Sequence, residues 1–171
     1  MSLERMTKTA LEKPALIDSM DNPLDIFASV RIQAEIWRLL YALSTPEYME
    51  AWVQLPGTER VECHSEGRSF DRFRIDMFSA NKKLGSIYGS CLLSKPNRVT
   101  YLWHKQPMEI RSRSMVEIHL LGGVNCCALK LKHRGLTKDE DRELYSKMWQ
   151  LSLEKLRILM ERINSEKAFA T

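Results

Sequence analysis

The sequence predicts an α+β domain, in which a curved antiparallel sheet of about six strands wraps around one long C-terminal helix. Between Glu59 and His133, apolar and polar residues alternate in short runs that are separated by turn residues. This pattern is typical of strands that follow one another without intervening helices. From Thr137 onward, apolar residues instead recur three and four positions apart, which indicates one amphipathic helix. A helix of about 25 residues is about 40 Å long, enough to cross the sheet.

Three shorter elements precede the strand-rich region. Residues 27–32 alternate as a strand. Ile36, Leu40 and Leu43 then lie four and three residues apart, which predicts a short helix that ends near Ser44. The segment 44–52 has a serine suited to capping, a proline in the first turn and a glutamate three residues after the serine. These features predict a second short helix.

The strand pattern is clearest in three runs, and the long helix has one apolar stripe. The runs are residues 71–77, 99–104 and 116–120, with turn residues at 81–83, 95–98 and 122–123. The stripe consists of Trp149, Leu153, Leu156, Met160 and Ile163. We expect this stripe to pack on the concave face of the sheet, because a helix buries its apolar side against another element.

The chain length and composition predict one domain, covering residues 26–164, between two tails. Residues 1–25 contain few large apolar side chains and two prolines, so we expect a flexible N-terminal tail that is dispensable for folding. Residues 165–171 are expected to form a short C-terminal tail. Since no apolar run is long enough to span a membrane and the first residues do not resemble a signal peptide, we expect a cytoplasmic protein.

Cysteines and charges indicate neither a metal site nor a nucleic-acid partner. The four cysteines show no Cys-x-x-Cys spacing, so we expect free thiols, no metal and no cofactor. Residues 60–113 contain eleven Lys or Arg and five Asp or Glu, an excess that can attract anions. The basic residues nevertheless alternate with apolar ones or lie in turns, and no nucleic-acid-binding motif accompanies them.

Four stretches carry a resemblance to a known superfamily. They are Val30–Trp37, Tyr48–Trp52, Asn97–Trp103 and Leu129–Gly135. In this order they resemble the START-like (SRPBCC) superfamily and, within it, the family named after the activator of the ATPase of the ninety-kilodalton heat-shock protein. The likeness covers about residues 27–162. It implies the helix-grip fold, while the functions known on this scaffold include ligand carriers, cyclases, hydrolases and chaperone regulators.

A sheet wrapped around a helix encloses a space that either a ligand or side chains must fill. The residues expected to line it as a binding site for a small hydrophobic or aromatic ligand are Trp103, His104, Met115, His119, Trp149 and Leu153. Aromatic side chains with a few polar groups are typical of such pockets. The same residues are equally expected in a packed core.

Three functions are compatible with the sequence, and the first is preferred. They are non-enzymatic binding of a small hydrophobic ligand, a chaperone-associated or stress-response interaction, and a cyclase- or hydrolase-like activity. No nucleophile, metalloprotease or nucleotide-binding motif occurs, so no catalytic residue is assigned. His133 is expected to fix the loop before the long helix by hydrogen bonding. An enclosed cavity would favour the ligand carrier, and an exposed apolar patch would favour the interaction protein.

Overall fold

The computed structural model describes residues 22–65, 72–104 and 113–168. The first half of the chain forms β1 (Ile26–Ile32), α1 (Ile36–Ser44), α2 (Pro46–Trp52), β2 (Arg60–Ser65) and β3 (Arg72–Ser79). The second half forms β4 (Lys82–Lys95), β5 (Arg98–His104), β6 (Ser114–Gly122), β7 (Cys127–Arg134) and α3 (Asp139–Ala168). This order confirms the predicted strand, two short helices, strand meander and long helix.

All described strands join one antiparallel sheet with the order β1-β7-β6-β5-β4-β3-β2. The sheet therefore has seven strands in the described part of the chain, where the sequence predicted about six. The edge strand β2 has a weak pattern, because Val61 and Cys63 are its only buried residues and the others are polar. Polar residues are common on an edge strand, since one of its sides is open to water.

The inner face of the sheet is apolar and carries α3. The predicted stripe is confirmed: Trp149 and Leu156 are fully buried, Leu153 and Met160 nearly so, and Ile163 packs at the margin. Along its length α3 packs against β1 and α2. The helix is thus held on the sheet by its apolar side, and its opposite side faces water.

The sequence predicted that Ser44 caps α2, and this prediction is wrong. The Ser44 hydroxyl instead bonds to the preceding helix. The Ser44 hydroxyl donates to the backbone carbonyl of Leu40 at 2.7 Å. α2 begins one residue later, with Pro46 in its first turn and Thr45 in the cap position without a side-chain capping bond. A serine at a helix end can bond backward or forward, and here the carbonyl four residues earlier is the closer partner.

Two distant aromatic residues satisfy the last turn of α1. The carbonyls in the last turn of a helix have no partners within it. The Trp52 indole donates to the carbonyl of Ala42 at 3.0 Å, and the Tyr101 hydroxyl donates to that of Leu43. Since Trp52 lies on α2 and Tyr101 on β5, these bonds fix α1 against both elements.

Residues 22–25, which the sequence assigned to the N-terminal tail, form a turn that packs on the domain. The Asp25 N–H donates to the Asn22 carbonyl at 2.8 Å, and the Leu24 N–H donates to the Asn22 side chain at 3.0 Å. Asp25 is buried and Leu24 contacts the core. Residues 1–21 lie outside the described residues, so their dispensability stays a prediction. At the other end, α3 continues to Ala168, and much of the predicted C-terminal tail is therefore helical.

None of the described helices is long and apolar enough to cross a membrane. α3 has the necessary length, but charged residues recur throughout it.

Candidate functional site

An aromatic and polar cluster, here called the inner cluster, lies between the sheet and the first half of α3. Its residues are Trp103, Ser114, His133, Tyr145 and Trp149. The ring centroids of Trp103 and Trp149 are 5.6 Å apart, and Tyr145 lies 6.4 Å from Trp103 and 5.1 Å from His133. β5, β6 and β7 are neighbours in the sheet, so three strands and one helix meet here.

Hydrogen bonds through His133 determine its tautomer. The Trp149 indole N–H donates to His133 Nδ1 at 3.0 Å, and an indole nitrogen cannot accept. Nδ1 is therefore unprotonated, and the neutral ring carries its proton on Nε2. That proton is donated to the Ser114 hydroxyl at 2.7 Å, and Ser114 in turn donates to the backbone carbonyl of Trp103 at 3.3 Å. From the Trp149 indole through His133 to the Ser114 hydroxyl, each side-chain nitrogen and oxygen in this series of hydrogen bonds has a partner.

Burial keeps the titratable groups of the inner cluster neutral. Desolvation lowers the pKa of His133 to about 4. It also raises the pKa of Tyr145 to about 12, against a smaller opposing effect of the nearby Trp103 indole. Since Trp149 occupies the lone pair of Nδ1, that nitrogen is not free to accept a substrate proton. His133 therefore has a structural role, in which it links the end of β7 to α3 and to β6. The sequence predicted a structural hydrogen-bonding role, but with the loop before α3 as the partner.

The centre of the inner cluster is packed by its own side chains. Trp103, Trp149 and His133 have no accessible surface. A void large enough for a water molecule would expose part of any side chain on its wall, so no such void touches these three. A ligand at Trp103 and Trp149 would therefore have to displace protein side chains.

Leu153 lies at the border of a cleft between the sheet edge and α3. The cleft has a volume of about 320 Å³. One wall is residues 26–30 of β1, and the other consists of Ser146, Gln150, Leu153 and Glu154 of α3. Of the six predicted ligand-binding residues, the structure thus places Trp103 and Trp149 in the packed cluster and Leu153 beside a cleft.

The other three predicted residues, His104, Met115 and His119, lie on the outer face of the sheet. Side chains alternate along a strand, so a buried Trp103 directs its neighbour His104 outward. In the same way, Met115 and His119 on β6 alternate with the inward-facing Ser114, Val116, Ile118 and Leu120. They cannot line the space between the sheet and α3. The sequence held the signal for this, because Trp103 and His104 are adjacent in one strand.

An exposed apolar surface, here called the α1 surface, lies around the first helix, and no pattern in the sequence predicted it. It consists of Trp37 and Tyr41 on α1, Tyr48 on α2 and Val124 in the turn between β6 and β7. Trp37 is 59% exposed and Val124 78% exposed. Both border a shallow depression of about 490 Å³, whose other walls include Leu40 and Pro96. Tyr41 and Tyr48 extend the surface, with ring centroids 5.2 Å apart.

The cysteines of the described residues take part in no cluster of potential metal ligands, and burial keeps the thiol of Cys63 protonated. No three potential metal ligands come together among the described residues. Burial first, and then the charges of Glu50, Asp76 and Glu47, raise the pKa of Cys63 to about 12. This thiol therefore stays protonated near neutral pH and is a poor nucleophile.

Comparison with known proteins identifies the fold. No protein-family model matches the chain, and no curated protein matches it. Three similar solved structures are a START superfamily protein from Mycobacterium smegmatis, the Aha1 dimer from Colwellia psychrerythraea and an HSP90 activator from Plasmodium falciparum. Their TM-scores are 0.62, 0.58 and 0.56, and their sequence identities are 12%, 17% and 14%.

These alignments extend over most of each protein. They cover 81%, 80% and 80% of this chain and 98%, 96% and 96% of the respective neighbours. The chain therefore has a helix-grip architecture. More specifically, this is the START-like fold that Aha1-like proteins share, as the sequence predicted. At these identities the likeness defines the fold and leaves function to the residues.

Proposed function

We propose that this chain is a protein-binding domain, which docks a chaperone of the HSP90 class through the α1 surface. The observation that carries this proposal is the exposure of Trp37, which has 59% of its surface open to water beside the apolar depression. Tryptophan, tyrosine and arginine are enriched at the centres of protein interfaces, and here the exposed Trp37 lies beside two further exposed aromatic residues.

The α1 surface has a size that suits the centre of a transient interface. Its three aromatic side chains are between 36% and 59% exposed. Since an aromatic side chain buries about 150–250 Å², these fractions correspond to a patch on the order of 300 Å². Patches of this size are often functional. A standard interface covers about 800 Å² on each partner, so polar residues around the patch would complete it.

Local contacts hold Trp37 in place before any partner binds. The Arg38 guanidinium lies 5.1 Å from the centroid of the Trp37 ring. Glu35 fixes that guanidinium through an ion pair of 2.9 Å. A side chain that is already ordered loses little conformational entropy on binding, which favours its use as an anchor.

The choice of a chaperone partner is supported by the likeness in fold to an HSP90 activator. The packing of the inner cluster also supports a protein partner. Because its centre has no room for a ligand, recognition of a partner would take place on the surface of the domain. A protein that inserts an apolar side chain between Trp37 and Val124 is the occupant that the depression fits best.

The test is calorimetric titration of the chain with the purified HSP90 homologue of the same organism. Trp37→Ala should weaken binding roughly thirty-fold, since an interface hot spot contributes about 2 kcal/mol. Ile158→Ala is the matched control, because Ile158 is an apolar residue, 54% exposed, on the outer side of α3. This control should bind like the unmodified chain.

If the titration detects no binding with a Kd tighter than about 1 mM, the proposal is overturned. An equal loss in both variants would overturn it as well. The sedimentation coefficient of the unmodified chain can also be measured over a range of protein concentrations. If it rises with concentration, and Trp37→Ala removes this rise, the α1 surface is instead a contact between two copies of this chain.

The cleft between β1 and α3 favours a second function, the binding of a small apolar ligand. Its volume of about 320 Å³ is at the lower end of the range for ligand pockets, and Ile26, Val30 and Leu153 supply apolar walls. A ligand held at 100 times its Kd should raise the free energy of unfolding by about 2.7 kcal/mol.

An apolar fluorescent probe and a thermal-shift panel of apolar and aromatic compounds test this second function. Leu153→Trp should fill the cleft and abolish the stabilisation. Leu151→Trp, which adds the same side chain at a position 46% exposed, should leave the stabilisation intact. If no compound shifts the melting temperature, the cleft is not a ligand site.

A further inference from the structure

A depression on the outer face of the sheet has features of a ligand site that neither function above uses. It has a volume of about 440 Å³ and lies across β3, β4 and β5 up to the start of β6. The outer-face side chains that line it are Arg72, Tyr88, Ser90, Leu102, His104 and Arg113. α3 and the inner cluster are on the opposite side of the sheet, so this outer depression is separate from both.

Two arginines stand on opposite sides of the outer depression. Arg72 opens β3 and Arg113 immediately precedes β6, and both are exposed. These strands are separated by β4 and β5, so about 14 Å lies between their backbones. Neither arginine has an ion-pair partner among the described residues, and no described carboxylate lines the depression.

Neighbouring carboxylates of the outer face are already paired with other cations. Asp76 is contacted by Lys83 at 2.8 Å, by Arg74 at 3.1 Å and by the Ser86 hydroxyl at 2.6 Å. Glu117 is paired with Arg134 at 2.6 Å. The positive charge at the two ends of the depression is therefore not cancelled by these acids.

The floor of the depression between the arginines is aromatic and apolar. Tyr88 and His104 are directly paired across β4 and β5, and their ring planes lie within 16° of each other with centroids 6.2 Å apart. Leu102 adds an apolar side chain, and the Ser90 hydroxyl supplies a hydrogen-bonding group. Ring faces of this kind bind flat organic groups by stacking.

We infer that the outer depression binds a small planar organic anion, an aromatic ring that carries a phosphate or carboxylate group. The guanidinium groups of Arg72 and Arg113 reach from the two sides of the depression toward this one anionic group, since arginine matches phosphate and carboxylate with two parallel hydrogen bonds. Tyr88, His104 and Leu102 contact the ring. The volume of about 440 Å³ lies within the usual range for small-molecule sites.

Three probes separate the contributions of ring and charge when titrated by calorimetry at physiological ionic strength. They are 1-naphthyl phosphate, inorganic phosphate and 1-naphthol. We expect 1-naphthyl phosphate to bind at one site, at least about tenfold more tightly than either of the others, because it alone combines both groups. Arg72→Gln and Arg113→Gln should each weaken its binding by roughly tenfold, as expected for loss of a charge-assisted contact.

Two variants make the test specific. Tyr88→Leu should weaken the binding of 1-naphthyl phosphate and leave the binding of inorganic phosphate unchanged. Arg142→Gln removes one exposed arginine from α3, on the other side of the molecule, and should change neither ligand. An equal loss in Arg142→Gln would show that the net charge of +4 attracts anions without a site, and would overturn the inference. Failure of 1-naphthyl phosphate to bind below about 1 mM would overturn it too.

Discussion

Replacing Trp149 with alanine is expected to lower the free energy of unfolding by about 3 to 5 kcal/mol. Trp149 is fully buried, and its ring contacts Trp103 with centroids 5.6 Å apart. Its removal leaves a large cavity between α3 and the sheet. It also leaves His133 Nδ1 without the indole donor that it now accepts from at 3.0 Å, which adds the cost of an unpaired buried acceptor. Urea denaturation followed by circular dichroism measures the loss.

Two further variants separate the causes of this destabilisation. Trp149→Phe retains a large ring but lacks the N–H group, so its cost should be dominated by the lost hydrogen bond, about 1 to 3 kcal/mol. Leu151→Ala lies two residues away on the exposed side of α3 and should change stability by about 0.5 kcal/mol or less. A loss below about 1 kcal/mol for Trp149→Ala would contradict the packing of α3 described above.

Acidification should destabilise the fold through His133 by about 3 kcal/mol. Burial lowers the pKa of His133 from 6.5 to about 4 in the folded protein. Between these two values the unfolded chain binds a proton at this residue and the folded chain does not. The stabilising contribution is therefore complete above about pH 6.5 and is lost as the pH falls toward about 4, at roughly 1.4 kcal/mol per pH unit. Tyr145, the titratable ring packed against His133, stays neutral throughout this pH range, because the ordinary pKa of a phenol is already about 10 and burial raises that of Tyr145 to about 12.

Comparison with His133→Gln isolates this effect from the carboxylates that also titrate in acid. Glutamine does not titrate, so the variant should be less stable at pH 7 but should lose less stability between pH 6.5 and 4. Leu151→Ala is the control, since it removes an exposed apolar side chain and no titratable group, and its curve should run parallel to that of the unmodified protein. Parallel curves for His133→Gln and the unmodified protein would show that His133 is not held neutral by the fold.

Local periodicity was sufficient to predict the elements and much of their packing. The stripe from Trp149 to Ile163 was predicted correctly because helical spacing places these residues on one side whatever the helix packs against. A hydrogen-bonding role of His133 was also predicted, because the residue ends a strand beside the loop into α3, but its partners Trp149 and Ser114 were not. The partner of the Ser44 hydroxyl was not predicted. The carbonyl of Leu40 and the first turn of α2 compete for this one hydroxyl, and only the three-dimensional geometry shows which of them it bonds to.

The candidate site depended on contacts between residues far apart in the chain. The contact between the rings of Trp103 and Trp149 determines whether these residues line a cavity or fill it. The two residues are 46 positions apart, one in a strand and the other in a helix. The sequence also contained Trp37 and Val124, yet no local pattern indicates that they share one exposed depression. They do so because the turn between β6 and β7 lies beside the start of α1.

Residue spacing along single segments was enough to predict the kind and order of the elements and the side of α3 that is buried. Alternation along β5 also puts Trp103 and its neighbour His104 on opposite faces, but only packing in three dimensions determines that the Trp103 face is the inner one. The tertiary structure also decided that the inner cluster is packed and that Trp37 remains exposed. Filling and exposure depend on the summed volumes and positions of side chains from several elements, and no single segment encodes that sum.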